Sequence, residues 1–254
     1  MKPRGQTLLD ILCKRYPEKT REQHLAGVLC GDVYAGGERV RDPKRRLAAD
    51  AAIEFKPKAF VSRGGEKLDY ALAAWNVDAA GKTVLDAGSS TGGFTHCLLK
   101  RGAARVHAVD AGYNQMHPAL RTDPRVILKE ETSIMSINAL DPVPAFAVCD
   151  LSFRSLRCAA RHILCLTSEL RLIALVKPQF EWENPPAEFD GVVRGEDTLR
   201  EILLNLTAAL KAEGVYAARA LESPLRGASG NREFLFDLSL RPYESSFLPM
   251  GLPI

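Results

Sequence analysis

From about residue 62 onward, short apolar runs alternate with longer segments in which hydrophobic positions recur at helical spacing. The apolar runs predict buried strands, and the periodic segments predict helices. The predicted strands are 83–87, 105–110, 125–129, 145–150, 171–176, 215–221 and 232–240. The predicted helices include 66–75, 94–100, 155–166 and 196–212. This alternation is typical of an α/β fold with a doubly wound, mainly parallel sheet, here of seven strands.

The last two predicted strands are joined by a loop, 222–231, that leaves no room for a crossover helix. Parallel neighbours need a connection of about a dozen or more residues, so these two strands must run antiparallel. The sequence therefore predicts a sheet that ends in one antiparallel strand.

The first part of the chain follows a different pattern, which predicts a small α+β module. Two amphipathic helices fit 8–15 and 20–29, with Thr20 as the N-cap of the second. A hairpin with glycines at its bend fits 31–40. The predicted organisation is a module at 1–55, a linker at 56–61, a larger domain at 62–242 and a tail at 243–254.

Composition narrows the class of protein without naming a function. The chain has 254 residues, of which 46% are hydrophobic and 26% charged, as is ordinary for globular proteins. No apolar run approaches the ~20 residues that cross a bilayer, and no apolar segment follows the charged start as in a secretory signal. We therefore expect a cytoplasmic protein with no membrane partner.

Positive charge is concentrated in the predicted module. Residues 1–60 carry 13 Lys/Arg and 8 Asp/Glu, an excess of five, whereas the whole chain carries +3. A basic module joined to a larger domain suggests a polyanionic partner; a solvated basic surface with no partner is the alternative.

Cysteine and histidine patterns indicate no metal site. The six cysteines form no C-x-x-C pair and no cluster with histidine at zinc spacing, and the five histidines are scattered. Most of the cysteines lie in apolar segments, where a free thiol acts as a small hydrophobe.

The segment 86–94, Asp-Ala-Gly-Ser-Ser-Thr-Gly-Gly-Phe, lies where a predicted strand runs into a helix. Its glycines let backbone approach a ligand closely, and the helix that follows offers unpaired N–H groups. Asp110 ends the next strand, where a carboxylate can accept both hydroxyls of a ribose. The pattern predicts an adenosine-containing cofactor held by Asp86, Gly88, Ser89, Ser90, Thr91, Gly92, Gly93, Phe94 and Asp110.

The details of this turn favour S-adenosylmethionine. A dinucleotide site would read G-x-G-x-x-G and hold a pyrophosphate, and a P-loop would supply a lysine. Asp86 would repel phosphates but suits the cationic end of S-adenosylmethionine. A methyltransferase is therefore favoured over a dehydrogenase, and a purely structural turn is the third interpretation.

Four charged residues are predicted to meet at one edge of the sheet. Asp150 and Lys177 end two of the predicted strands, Lys67 lies in the helix before the first strand, and Glu233 begins the last strand. A lysine has a free pKa of ~10.4, which a second ammonium and partial burial would lower. Such an amine could remove a proton from a hydroxyl. Two ordinary salt bridges at the sheet edge are the alternative.

These segments resemble the TlyA (hemolysin A) family of ribosomal-RNA 2′-O-methyltransferases, whose catalytic domain is similar to that of the FtsJ heat-shock methyltransferases. The matching segments are 61–68, 85–95, 109–113, 150–153, 175–181, 191–194 and 230–235. The resemblance implies S-adenosylmethionine-dependent methylation of ribose, at cytidines, in ribosomal RNA of the small and sometimes the large subunit.

The resemblance also implies roles for the four charged residues. Lys67, Asp150, Lys177 and Glu233 match the Lys-Asp-Lys-Glu tetrad of the family. Lys177 would be the base for the ribose 2′-hydroxyl, with Asp150 orienting it. Lys67 and Glu233 would position the ribose and tune the lysine.

Two further expectations come from the resemblance. Glu130, with Thr132, matches an acidic segment beside the adenine of the cofactor. The N-terminal module is similar to the small RNA-binding domain of the S-four type of ribosomal protein, although Leu8 stands where an arginine is usual and 16–17 read Tyr-Pro. The expected RNA-binding residues are Arg4, Arg15, Arg21 and Arg63.

Two other functions stay open at this point. One is a non-catalytic RNA-binding factor in ribosome assembly that keeps only the methyltransferase shape. The other is a cytolysin, which the older family name suggests; the absence of a spanning segment or a long, clearly amphipathic helix in the sequence speaks against it.

Overall fold

The computed structural model describes residues 5–55, 59–151 and 155–242. Its contacts divide the chain into two units, with the boundary between Ala59 and Phe60. The predicted tail, 243–254, and residues 56–58 of the predicted linker lie outside the described residues.

The first unit contains two helices and short strands. They are β1 Gln6–Thr7, α1 Leu8–Arg15, α2 Arg21–Cys30, β2 Val33–Ala35, β3 Glu38–Val40, β4 Arg46–Leu47 and β5 Ile53–Phe55. Thr20 caps α2: its side chain accepts the N–H of Gln23, and the Gln23 side chain accepts the N–H of Thr20. The strands form one sheet of order β3-β2-β5 and a β1-β4 pair. The helices and the hairpin lie where the sequence predicts them.

The second unit carries the large sheet. Its elements are α3 Arg63–Ala74, β6 Thr83–Ala87, α4 Gly93–Lys100, β7 Arg105–Val109, α5 Pro118–Arg121, β8 Val126–Lys129, a 3-10 turn Ile134–Ser136, β9 Phe146–Cys149, α6 Ala159–Cys165, β10 Arg171–Val176, α7 Pro178–Glu181, α8 Glu196–Ala212, β11 Tyr216–Glu222 and β12 Phe234–Ser239. In the described ranges, none of the helices combines the length and apolar character needed to cross a membrane.

The sheet has seven strands in the order β11-β12-β10-β9-β6-β7-β8. All run parallel except β12, which is antiparallel to both β10 and β11. The predicted fold class is thus confirmed, and so is the antiparallel pair. However, β12 lies inside the sheet between β10 and β11. This position cannot be predicted from the length of the loop 222–231 alone.

Helices cover both faces of the sheet. One apolar cluster joins α6 and α8 to the sheet, and the other joins α3 and α4 to the opposite face. Phe60, which the sequence pattern assigned to the linker, is buried in the second cluster. This contact explains why the second unit begins two residues earlier than predicted.

Helix α6 is shorter than predicted, for an identifiable reason. The N–H of Leu156 donates to the carboxylate of Glu181, and the N–H of Cys158 donates to that of Glu213. Cys158 also has a φ of +63°. Because an α-helix requires a negative φ, the backbone at Cys158 interrupts it, and α6 begins at Ala159.

Strand register brings the predicted site residues to one edge of the sheet. Cys149 pairs with both Ala87 and Ala174, and Val176 lies opposite Phe234. The residues next along the chain at this edge are Gly88, Asp150, Lys177 and Glu233. Since neighbouring strands are ~4.8 Å apart, all four come close together.

Candidate active site

The turn after β6 is shaped for close approach of backbone. Gly88 has a φ of +83°, and a Cβ there would lie 2.7 Å from the carbonyl oxygen of Asp150. Gly92 has a φ of +89°, and a Cβ there would collide with Met116 and Leu120. Only glycine fits these two positions without strain.

A cavity of about 390 Å³ opens beside this turn, within the usual size of small-molecule sites. It is lined by Gly88, Ser90, Val109, Asp110, Ala111, Gln115, Thr132, Ser133, Ile134, Asp150 and Leu151. The cavity thus reaches from the predicted cofactor turn to one member of the predicted tetrad.

Asp86 lies beneath the turn with no exposed surface. Its Oδ2 accepts the hydroxyl of Thr95 at 2.6 Å, whereas Oδ1 has no partner among the described residues. Burial raises the pKa of Asp86 to about 7, and the charges of Asp150 and Asp110 add to the shift. Asp86 itself does not line the cavity, so its predicted contact with the cofactor stays a prediction. The hydroxyl of Ser89 is also buried and without a partner in these ranges.

Asp110 is oriented towards the cavity by backbone donors. Its Oδ2 accepts the N–H of Ser90 at 2.8 Å, and its Oδ1 accepts the N–H of Gly112 at 2.6 Å. Each carboxylate oxygen has a second lone pair, so Asp110 can still accept two ribose hydroxyls.

The other predicted cofactor residues take different positions. Ser90 lines the cavity, Thr91 is exposed, and the side chain of Phe94 packs in the apolar cluster under α4. Gly93 lies against the start of α3, where a Cβ would meet Ser62.

Glu130 stands outside the cavity lining. It accepts hydrogen bonds from Arg121 at 2.6 Å and from the N–H of Gln115 at 3.1 Å, and Arg121 lowers its pKa. Thr132 does line the cavity, and its hydroxyl donates to the carbonyl oxygen of Glu130 at 2.8 Å.

Lys67 and Glu233 form a buried ion pair. Their side chains are 8% and 4% exposed. Lys67 lies on α3, and Glu233 immediately precedes β12. Removal of one partner from such a pair typically costs 3–5 kcal/mol, because the other charge is left buried alone.

Lys177 and Asp150 form a second ion pair, with Nζ and Oδ1 2.6 Å apart. The amine also donates to the carbonyl oxygen of Leu151 at 3.3 Å and lies 5.9 Å from the ring centre of Phe180. Pro178 begins α7 directly after Lys177 and turns the chain away from the strand. The structure therefore brings the four predicted residues together as two ion pairs at consecutive strand ends.

A family model described as FtsJ-like methyltransferase matches residues 60–239, which include the sheet, the glycine turn and both ion pairs. The chain belongs to the FtsJ-like methyltransferase family. S-adenosylmethionine is the cofactor of this methyltransferase, as the sequence predicts, and the carboxylate of Asp110 in the cavity and the cradle at Gly88 fit it.

Individual relatives of this FtsJ-like methyltransferase cover most of its length. A Mycobacterium tuberculosis protein named 16S/23S rRNA (cytidine-2′-O)-methyltransferase TlyA is 35% identical over 88% of this chain and 85% of its own. Hemolysin A of Brachyspira hyodysenteriae is 37% identical over 82% and 89%. A solved structure of a candidate hemolysin from Streptococcus thermophilus superposes with a TM-score of 0.71 at 33% identity, covering 97% of this chain and 92% of that one.

The predicted RNA-binding arginines differ in their contacts. Arg15 donates to the carbonyl oxygens of Ala49 and Ala51, and Arg21 pairs with Asp10 at 3.2 Å. Arg63 is exposed at the first residue of α3. Arg4 lies outside the described residues.

Two polar contacts of the FtsJ-like site were not predicted. Thr95 fixes one oxygen of Asp86; it ends the segment 85–95 that carries the family resemblance, but this contact was not predicted. Asn231, 3% exposed, accepts the N–H of Val193 at 2.9 Å and donates to the carbonyl oxygen of Gly191 at 2.8 Å. Asn231 belongs to a segment that carries the family resemblance, so its identity was visible but its role was not. Across the described ranges, no group of three or more His, Cys, Asp or Glu could hold a metal ion.

Proposed function

We propose that this enzyme uses S-adenosylmethionine to methylate the ribose 2′-hydroxyl of a cytidine in ribosomal RNA, with Lys177 as general base. The observation that carries the proposal is the Lys177–Asp150 ion pair at the edge of the cofactor cavity, with the Lys67–Glu233 pair on the neighbouring strand end. The relatives named as rRNA (cytidine-2′-O)-methyltransferases support the choice of substrate.

Bound S-adenosylmethionine would supply a methyl group made electrophilic by the attached sulfonium, and would leave as S-adenosylhomocysteine as the bond from that carbon to sulfur breaks. Lys177 removes the proton of the 2′-hydroxyl as its oxygen forms the new bond to carbon, so the O–H bond breaks and the proton stays on Nζ. The ion pair with Asp150 holds the amine at the edge of the cavity, and the carboxylate stabilises the ammonium that forms.

The Lys67–Glu233 pair serves to orient the ribose. Both groups are buried and held against each other, so their hydrogen-bonding directions are fixed before substrate binds. Pre-oriented charged groups near the reacting hydroxyl reduce the reorganisation that the reaction requires.

The first unit is the proposed site of RNA recruitment, because of its excess of positive charge. Among the proposed RNA-binding residues Arg4, Arg15, Arg21 and Arg63, Arg63 is supported by its exposure and by its position one helical turn before Lys67. A ribosomal-RNA substrate also assigns the enzyme to the cytoplasm.

Replacement of Lys177 tests the base. Lys177→Ala should reduce methyl transfer to ribosomal subunits by about 10²–10⁴-fold, and Lys177→Arg should fail similarly, because arginine keeps the charge but cannot release a proton at usable pH. Transfer of labelled methyl groups from S-adenosylmethionine to subunits that lack the modification measures the effect.

The matched control is Lys82→Ala. Lys82 pairs with Glu169 at the opposite end of the same sheet, at 2.7 Å, and its loss should leave transfer unchanged. If Lys177→Arg transfers methyl groups as fast as wild type, Lys177 is not the general base. Mapping of 2′-O-methyl groups on the product RNA identifies the nucleotide.

The name of the Brachyspira relative raises the cytolysin alternative. The purified enzyme should release no dye from liposomes at concentrations where it methylates RNA. Dye release without methyl transfer would overturn the proposal, and RNA binding without cofactor turnover would favour a non-catalytic assembly factor.

A further inference from the structure

Glu181 is a buried carboxylate that the proposed mechanism does not use. It is 4% exposed and is the last residue of α7. Its Oε2 accepts the hydroxyl of Ser155 at 2.5 Å, and its Oε1 accepts the N–H of Leu156 at 2.9 Å. Burial raises the pKa of Glu181, and these two donors and Arg157 oppose the shift. Since a buried carboxylate is costly, its position calls for an explanation.

The partners of Glu181 are Ser155 and Leu156. Both belong to the stretch of chain between Asp150 and α6, the segment after Asp150. Lys177 lies one helical turn before Glu181, and its amine donates to the carbonyl oxygen of Leu151 in that same segment. The two segments that carry the base and its carboxylate are therefore joined twice. They meet at the ion pair and again at Glu181.

This second connection matters because residues 155–158, just before α6, belong to no helix or strand. Strand β9 ends at Cys149, and α6 begins only at Ala159. Glu181 also does not line the cofactor cavity, so cofactor binding does not account for it. Its contacts serve to hold the segment.

We propose that Glu181 is a positioning residue that holds the segment after Asp150 against the segment after Lys177 and so keeps the carboxylate and the amine in contact. The inference rests on the proposed function, since it assigns Glu181 a part in holding Lys177, the proposed base, beside Asp150. Glu181 itself touches neither the cofactor nor the reacting hydroxyl.

Backbone hydrogen exchange tests the contact without any activity. In Glu181→Ala, the amide of Leu156 loses its acceptor, so peptides that cover 155–158 should exchange at least about tenfold faster. The matched control is Glu169→Ala, which removes an exposed carboxylate from an ion pair at the other end of the sheet. It should leave exchange at 155–158 unchanged.

Single-turnover methyl transfer as a function of pH tests the positioning. Glu181→Ala should lower the rate constant about tenfold, with S-adenosylhomocysteine affinity within about twofold of wild type. The rising limb of its pH profile should move to lower pH, as in Asp150→Asn, because an amine that loses a neighbouring carboxylate has a lower pKa. A purely structural role would not move this limb.

The proposal fails if Glu181→Ala matches Glu169→Ala in rate and pH profile. If the alanine variant does not fold, Glu181→Gln and Ser155→Ala replace it, since each removes one of the two contacts. A wild-type enzyme that transfers no methyl group would refute the proposed function instead. Hydrogen exchange would then still decide whether Glu181 holds the segment.

Discussion

A single buried carboxylate, Asp86, beneath the predicted cofactor turn, lowers the stability of the fold at neutral pH. Thr95 satisfies one of its oxygens, and the other is left without a donor among the described residues. Burial is the main reason that its pKa rises from 3.8 to about 7. The folded protein therefore keeps a proton on Asp86 in a pH range where the unfolded chain releases it.

This pKa predicts a pH-dependent stability. The free energy of unfolding should fall as pH rises from about 4 to about 7 and level off above 7, because the proton held by Asp86 is lost over this range. The effect of this group is at most roughly 4 kcal/mol. Denaturant unfolding at a series of pH values, with wild type and Asp86→Asn, measures it.

In Asp86→Asn, the free energy of unfolding should not show the fall between about pH 4 and 7 that Asp86 causes. The variant should therefore be more stable than wild type at pH 8 without cofactor. Equal slopes for the two proteins would show that Asp86 ionises normally.

The turn after β6 is the element whose chemistry the sequence revealed best. Glycines next to an acid at a strand end are visible in the sequence, and strand register then places Gly88 against Asp150. The positions of Asp150 and Lys177 were also predictable, since parallel strands expose their carboxyl ends at one edge, and Glu233 lies there because β12 runs antiparallel to β10. The contacts of Glu181 and Asn231 were not predictable, because they join loops whose course depends on tertiary packing.

Gly88→Ala tests the close approach at this turn. The new Cβ would lie 2.7 Å from the carbonyl oxygen of Asp150 at a φ of +83°, so cofactor affinity should fall at least tenfold. Isothermal titration with S-adenosylhomocysteine measures the affinity.

Gly81→Ala is the matched control for Gly88. Gly81 also has a positive φ, +70°, but a Cβ there would meet nothing within 4 Å. It should lose about 1 kcal/mol of stability from backbone strain and keep its cofactor affinity. Equal affinities for the two variants would mean that the close approach to Asp150 does not shape the site.

Across the whole molecule, charge is distributed unevenly. The excess of positive charge lies in residues 1–60, whereas the cofactor cavity and both ion pairs lie in the second unit. The uneven charge is visible in the sequence composition alone. The boundary was less predictable, because burial of Phe60 depends on helix packing.

Two exposed cations of the first unit, Arg41 and Lys44, should contribute to RNA affinity. Substitution of each by alanine should weaken binding to ribosomal RNA and reduce the slope of log affinity against log salt by up to ~1 for each phosphate that is no longer neutralised. The single-turnover rate at saturating RNA should stay unchanged. Filter binding over a range of potassium chloride concentrations measures the slope, and Lys211→Ala, at an exposed position of α8, is the control.

The interior position of β12 has a consequence for the order of assembly during translation. The strand between β10 and β11 is the last one synthesised, and Glu233 at its start pairs with Lys67, which is made much earlier. A nascent chain therefore cannot complete the sheet until residue 239 has left the exit tunnel, and pairings so distant in sequence form slowly. The buried pair of Lys67 and Glu233 is therefore completed only by the last strand of the sheet to be made.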